Sequence, residues 1–234
     1  MATMHLYDAN GNFLWLTETK HFNDEEEAAW AQQICAEQGD GLLVLHPQTR
    51  EVRIVNRDGS DGQFCGNGLQ ATAFHIGQEK VQLHMGGRQI EARVEKPFVS
   101  VFLEASIQAP HPVIWQRVQA YALHMPNPHW VFLEPPSDWQ LDQEGQACCL
   151  EKHTNVEWVW SEGKMWRVAV YERGAGITAA CGSGALAVFA VLRALGHVQN
   201  QAEIKMPGGI LTVTAIGSKL SLRGQVRLLQ SRVV

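Results

Sequence analysis

The sequence predicts an α/β protein of two similar halves, each a mostly antiparallel mixed sheet wrapped around a central buried helix. Three observations lead there. Many short β-branched runs recur along the chain, as in Val52–Val55 and Ile210–Ala215. The stretch Gly184–Leu195 has helical length and is apolar nearly all round, so it must be buried on every side. Finally, Cys65-Gly66-Asn67-Gly68 and Cys181-Gly182-Ser183-Gly184 are near copies, each placed before an apolar run that reads as a helix.

Taken in order, residues 24–38 read as a helix, capped by Asn23 or Asp24, with acids in the first turn where the helix dipole favours them and Gly39 to end it. Cys35 lies on it as a core residue. Strands are expected at Leu42–Leu45, Val52–Val55, Val81–His84, Ile90–Val94 and Val99–Leu103, and the helix Leu69–Ile76 stops at Gly77. Gln108-Ala109-Pro110-His111-Pro112 reads as a linker, since its prolines oppose both helix and sheet. Further strands follow at Trp130–Leu133, Val156–Trp160, Trp166–Tyr171, Glu203–Met206, Ile210–Ala215 and Leu220–Arg223, with turns at Gly208-Gly209 and Gly217-Ser218. The expected division is residues 1–110 with Cys65 and 111–234 with Cys181; the last strand is free to return to the first half.

Composition narrows the function. With 234 residues, 45% hydrophobic, 18% charged and a net charge of −5, the chain is globular and has no electrostatic case for nucleic acid or an anionic membrane. No apolar run is long enough to span a bilayer, and Met1–His5 shows no leader pattern, so a cytoplasmic location is expected. The five cysteines include no Cys-x-x-Cys pair, and the ten histidines no metal-site spacing; neither a disulfide framework nor a metal is expected. The expected partner is a small-molecule amino-acid substrate, with a homodimer left open.

Two thiols at two helix starts suit one chemistry well. An α-hydrogen is a very weak acid, and one route to its removal is pyridoxal phosphate. That route needs a Schiff-base lysine and a phosphate cradle, and no cofactor is expected because neither stands out. The other route puts a thiolate on one face of the carbon and a thiol on the opposite face, so that configuration inverts. A helix N-terminus lowers a cysteine's pKa, and its free N–H groups hold a carboxylate. Cys65 and Cys181 are therefore the expected acid–base pair, with Gly66, Asn67, Gly182 and Ser183 as anion-binding backbone.

At these residues the chain resembles the diaminopimelate epimerase family. The stretches that carry the likeness are Asn56-Arg57-Asp58-Gly59-Ser60 leading to Phe64–Gly68, Asn127-Pro128-His129, the specific block Tyr171–Gly184, and Met206-Pro207-Gly208-Gly209. The resemblance implies that Cys65 and Cys181 are the two bases and that His129 and Glu172 tune them. It also implies that Asn56, Asn127, Asn155 and Arg173 contact the distal end of the substrate, with Asn12 filling a further substrate place. Retention of Glu172-Arg173 favours a substrate with a charged distal end, hence diaminopimelate, in lysine and peptidoglycan precursor synthesis.

Three departures fall in the first half: Asn10-Gly11-Asn12-Phe13 for a longer glycine-rich signature, Gly41 for a glutamine, and Leu69-Gln70 for Ala-Arg. They keep a racemase of another amino acid, such as histidine, as the alternative. Isomerases of the phenazine type share the fold class but carry carboxylates at the site. A cysteine hydrolase using Cys181 and His129 leaves the second motif unused. A non-catalytic binding module leaves both thiols idle.

Overall fold

The computed structural model describes residues 3–19, 21, 23–62, 64–104 and 109–233. It is a mixed α/β protein dominated by sheet, in two units: Met1–Leu103 with Arg223–Val234, and Glu104–Leu222.

The first unit opens with a hairpin, β1 (Thr3–Ala9) and β2 (Asn12–Glu18), turning through Asn10 and Gly11, both at positive φ. Then come α1 (Asp24–Glu37), β3 (Gly41–Leu45), β4 (Val52–Asn56) and the short β5 (Asp61–Gly62). Helix α2 (Gly66–Ile76) leads into the meander β6 (Lys80–Met85), β7 (Arg88–Glu95) and β8 (Phe98–Glu104). Asn23 caps α1 by accepting the Glu26 N–H, while Glu27 accepts the Asn23 N–H in return. β3 is buried at every position because it lies between parallel β2 and antiparallel β4, which is why it reads as an unbroken apolar run. β6 alternates exposed and buried residues and so has one wet face. Met4, Leu6, Trp15, Ala31, Ile34, Cys35, Leu42, Val44 and Val55 form one core between α1 and the sheet.

The second unit begins with β9 (His111–Trp115), β10 (Val118–Met125) and β11 (Asn127–Leu133). A π-helical turn at Leu141–Gly145 runs into α3 (Gln146–Lys152). Then follow β12 (Asn155–Glu162), β13 (Met165–Glu172), β14 (Gly176–Thr178), α4 (Gly182–Ala194), β15 (Gln201–Met206), β16 (Gly209–Ile216) and β17 (Lys219–Val233). β17 starts in this unit and ends in the first, where it pairs antiparallel with β1. β11–β12 and β13–β15 are parallel, while β9–β10, β10–β11, β12–β13, β13–β14 and β15–β16 are antiparallel.

Every α4 residue from Gly182 to Leu192 is buried, against β10, β11, β12, β15 and β16. α2 is buried from Gly66 to Ala73 and ends at Gly77, whose φ of 71° makes the left-handed cap that a Cβ disfavours.

Several elements differ from the sequence expectation. The segment read as a linker is a strand from His111 onward; Gln108 lies outside the described residues. Pro112 lies in β9, which pairs with β10; a strand tolerates proline where the ladder does not need its missing N–H. β1, β2, β5, β9, β10, β14 and α3 were not expected. β10 (VQAYALHM) is rich in residues that favour helices and forms a strand because β9 and β11 pair with it on both sides. No helix among the described residues is long and apolar enough to cross a membrane.

Candidate active site

Each unit carries a thiol in the same local setting. Cys65 is the N-cap of α2: its backbone is extended (φ −138°, ψ 103°), and Sγ accepts the Gly68 N–H at 3.1 Å. Its own N–H donates to Met85 Sδ at 3.4 Å, at the end of β6. Cys181 caps α4 in the same way (φ −130°, ψ 112°), accepting the Gly184 N–H at 3.3 Å. Its N–H donates to Met206 Sδ at 3.3 Å, at the end of β15. The repeat is therefore larger than four letters: a sulfur-capped helix, then a hairpin whose first strand ends on a methionine that holds the cysteine's backbone.

The second glycine of each motif has a steric reason. A Cβ on Gly68 would stand 2.7 Å from Leu43 Cδ2 and 3.2 Å from the Cys65 sulfur. On Gly184 it would stand 2.8 Å from Glu157 Oε1 and 3.3 Å from the Cys181 sulfur. A side chain at either position would force its neighbour to shift where the third N–H of the helix turns toward the thiol.

The surroundings of the two sulfurs differ. Cys65 is half-buried, whereas Cys181 is buried. Burial pushes the Cys181 thiol well above its usual range, and the carboxylates of Glu172 and Glu157 push in the same direction, against the hydrogen bond from Ser183. At Cys181, burial and the two neighbouring acids thus oppose the thiolate that a helix start favours. Burial likewise raises Glu172, which accepts hydrogen bonds from Thr178 Oγ1 and from the Cys181 thiol.

Of the remaining site residues of the second unit, Ser183 and Asn127 connect to this cysteine. The Ser183 hydroxyl lies 3.4 Å from Cys181 Sγ and 3.5 Å from its donor, Asn127 Nδ2. His129 and Glu157 are both fully buried, with Nδ1 2.6 Å from Oε1. Asn155 Oδ1 accepts the Arg173 N–H at 2.9 Å, and the exposed Arg173 side chain reaches the His153 carbonyl at 3.5 Å.

The first unit places Asn67 in the buried opening turn of α2, with Gly66 before it. Asn56 is exposed at the end of β4, its side chain donating to Ser60 Oγ at 2.9 Å. Asn12 opens β2, and its Oδ1 is buried with no partner among the described residues.

Sequence reasoning missed two groups here. Glu157 was one; its signal was a single acid inside the apolar strand Val156–Trp160. Asn10 was the other. It is buried at φ 59° and donates to Gln70 Oε1 at 3.0 Å and Asn67 Oδ1 at 3.4 Å, and its Oδ1 accepts the Gln225 N–H at 2.8 Å. The Leu69-Gln70 departure thus has a local meaning: Gln70 is fully buried and also donates to the Val99 carbonyl at 3.1 Å. Gly41 has one as well, because a Cβ there would stand 2.9 Å from the Val55 carbonyl oxygen.

The family model of diaminopimelate epimerase matches residues 121–229. A diaminopimelate epimerase of Desulfitobacterium hafniense is 31% identical over 227 residues, covering 78% of this chain and 79% of that protein. The chain belongs to the diaminopimelate epimerase family. A relative of the same name from Carboxydothermus hydrogenoformans is 28% identical over 269 residues, covering 97% of both chains. In fold, the chain is similar to a phenazine biosynthesis protein of the PhzF family from Enterococcus faecalis. That match has a TM-score of 0.76 at 12% identity and covers 98% of this chain and 97% of the other. Membership of the diaminopimelate epimerase family makes the chain an isomerase of the epimerase type.

Proposed function

We propose that this isomerase inverts the α-carbon of diaminopimelate with two thiols, Cys65 and Cys181, and that it serves lysine and peptidoglycan precursor synthesis. One observation carries the reading. The sulfur-capped helix start occurs once in each unit, with the same N–H to sulfur bond, the same methionine contact and the same excluded Cβ. A fold that needed one nucleophile would have no use for the second copy.

In this reading one sulfur takes the α-hydrogen as a thiolate. The C–H electron pair stays on carbon and spreads into the substrate carboxylate, and the other thiol delivers its proton to the opposite face. The raised Cys181 supports its starting as the donor, with Cys65 as the base. The opening N–H groups at Gly66 and Asn67 and at Gly182 and Ser183 hold the carboxylate as its charge grows. Glu172 and His129 tune the thiols, and Asn12, Asn56, Asn127, Asn155 and Arg173 serve the distal end, where a guanidinium fixes a carboxylate in orientation. Each unit is taken as a mixed sheet curved around its helix, which sets the thiol at the helix start. The reaction as proposed needs no cofactor.

Gly41 favours a second reading, a racemase of a different amino acid such as histidine, because its backbone leaves no room for the polar side chain that the family likeness leads one to expect there. Turnover in deuterated water separates the possibilities. LL-diaminopimelate should yield a product with one deuterium at the inverted α-carbon, and histidine should be turned over at least 100-fold more slowly. Product without α-deuterium would refute proton transfer altogether; faster turnover of histidine would transfer the assignment to the second reading. Cys65→Ser and Cys181→Ser should each lower turnover by roughly 100-fold or more, the usual span of a positioned acid or base.

A further inference from the structure

Glu157, paired with His129, has no role in the proposed proton transfer. Both side chains are fully excluded from solvent, on the neighbouring parallel strands β11 and β12, where Glu157 stands opposite Val131 and His129 opposite Asn155. Glu157 Oε1 is 2.6 Å from His129 Nδ1, short enough for a charge-assisted hydrogen bond. The same oxygen lies against the first turn of α4, since a Cβ on Gly184 would stand 2.8 Å from it. So the chain uses glycine at a position where a methyl group would displace this carboxylate. Two polar atoms of the pair, His129 Nε2 and Glu157 Oε2, are buried with no hydrogen-bond partner among the described residues. A pair kept only for packing would be expected to satisfy both.

We propose that Glu157 is a positioning residue of the epimerase site, which commits His129 through Nδ1 and leaves Nε2 as the ring nitrogen open to a reacting group. The inference rests on the epimerase reading and adds a residue to it. An ionised carboxylate has no proton to give, so Nδ1–H donates to Glu157 and the ring cannot turn without breaking that bond. Which nitrogen of a histidine is free is set by the bond the other one makes. His129 then presents the same atom in every turnover. Glu157 touches neither substrate nor thiol in this role and acts through the imidazole.

The intact protein labelled with 15N-histidine reports the tautomer directly, with His129 assigned by the signal lost in His129→Gln. Nδ1 of the wild type should be protonated at neutral pH. Glu157→Gln keeps the shape and removes the charge. It should lower kcat by about 10- to 100-fold, the usual effect of losing a partner that orients a functional histidine, with KM changed less than twofold. It should also weaken the preference for protonated Nδ1. A wild-type spectrum with bare Nδ1 would overturn the proposal, as would a folded Glu157→Gln enzyme with kcat within twofold of the wild type. If Glu157→Gln does not fold, the wild-type spectrum decides alone. A wild-type enzyme inactive on every amino acid tried would strike the epimerase reading instead, while the spectrum still shows whether Glu157 orders the ring.

Discussion

At the scale of single residues, the most restrictive choices are the glycines that face the sulfurs. Replacing a glycine inside a helix by alanine normally gains up to about 1 kcal/mol. At Gly184 that gain is opposed by a methyl 2.8 Å from a buried carboxylate oxygen, and at Gly68 by one 2.7 Å from a methyl of the fully buried Leu43. Overpacking of this kind costs about 1–3 kcal/mol, so both alanine variants should be less stable than the parent. Gly184→Ala should also lose more activity than Gly68→Ala, because it moves the Glu157 carboxylate rather than an aliphatic group. Urea midpoints and turnover numbers for the two variants check this; a Gly184→Ala enzyme as stable as the parent would show that the close approach does not exist. The sequence displayed the glycines and thiols plainly. It did not display what crowds them, because Leu43 and Glu157 come from strands far away along the chain.

Elements were legible where one physical signal dominated. α4 could be read because a helix without a polar face has only one environment open to it, and α1 because its cap and acidic first turn are local signals. β10 and α3 were hidden because their side chains have mixed preferences and their neighbours decide the outcome. The linker reading failed at Pro112, which lies in β9, for a related reason: proline disrupts a strand only where its N–H is needed. Burial makes α4 the element most sensitive to loss of volume. Phe189 is fully buried at its middle, so Phe189→Ala should destabilise the protein by about 3–5 kcal/mol. Arg193→Ala, on the exposed last turn of the same helix, should fall within about 0.5 kcal/mol. Denaturation curves of the two variants test whether the interior of α4, rather than helix propensity, carries the stability; equal losses would contradict it.

At the scale of the whole molecule, thiols in both units tie stability to alkaline pH. Burial pushes Cys35 in the first unit up to about 11 and Cys148 in the second up to about 12, and it raises Cys181 well above its ordinary range. An unfolded cysteine ionises near 8.5. Between these values the folded chain keeps protons that the unfolded chain has released, so the native state binds more protons and stability must fall as pH rises. The contribution is fully present below about pH 8.5 and is lost progressively toward 11–12, at about 1.4 kcal/mol per pH unit for each such thiol. Urea denaturation under reductant at pH 8, 9 and 10 should therefore show a steepening loss. Cys35→Ala and Cys148→Ala should each flatten it by one thiol's share, whatever their own effect on stability at pH 8. An unchanged slope in both variants would mean that those thiols ionise in the folded protein as readily as in the unfolded one. Their burial in the two cores would then be wrong, since water able to solvate a thiolate would have to reach Cys35 on the buried face of α1 and Cys148 within α3.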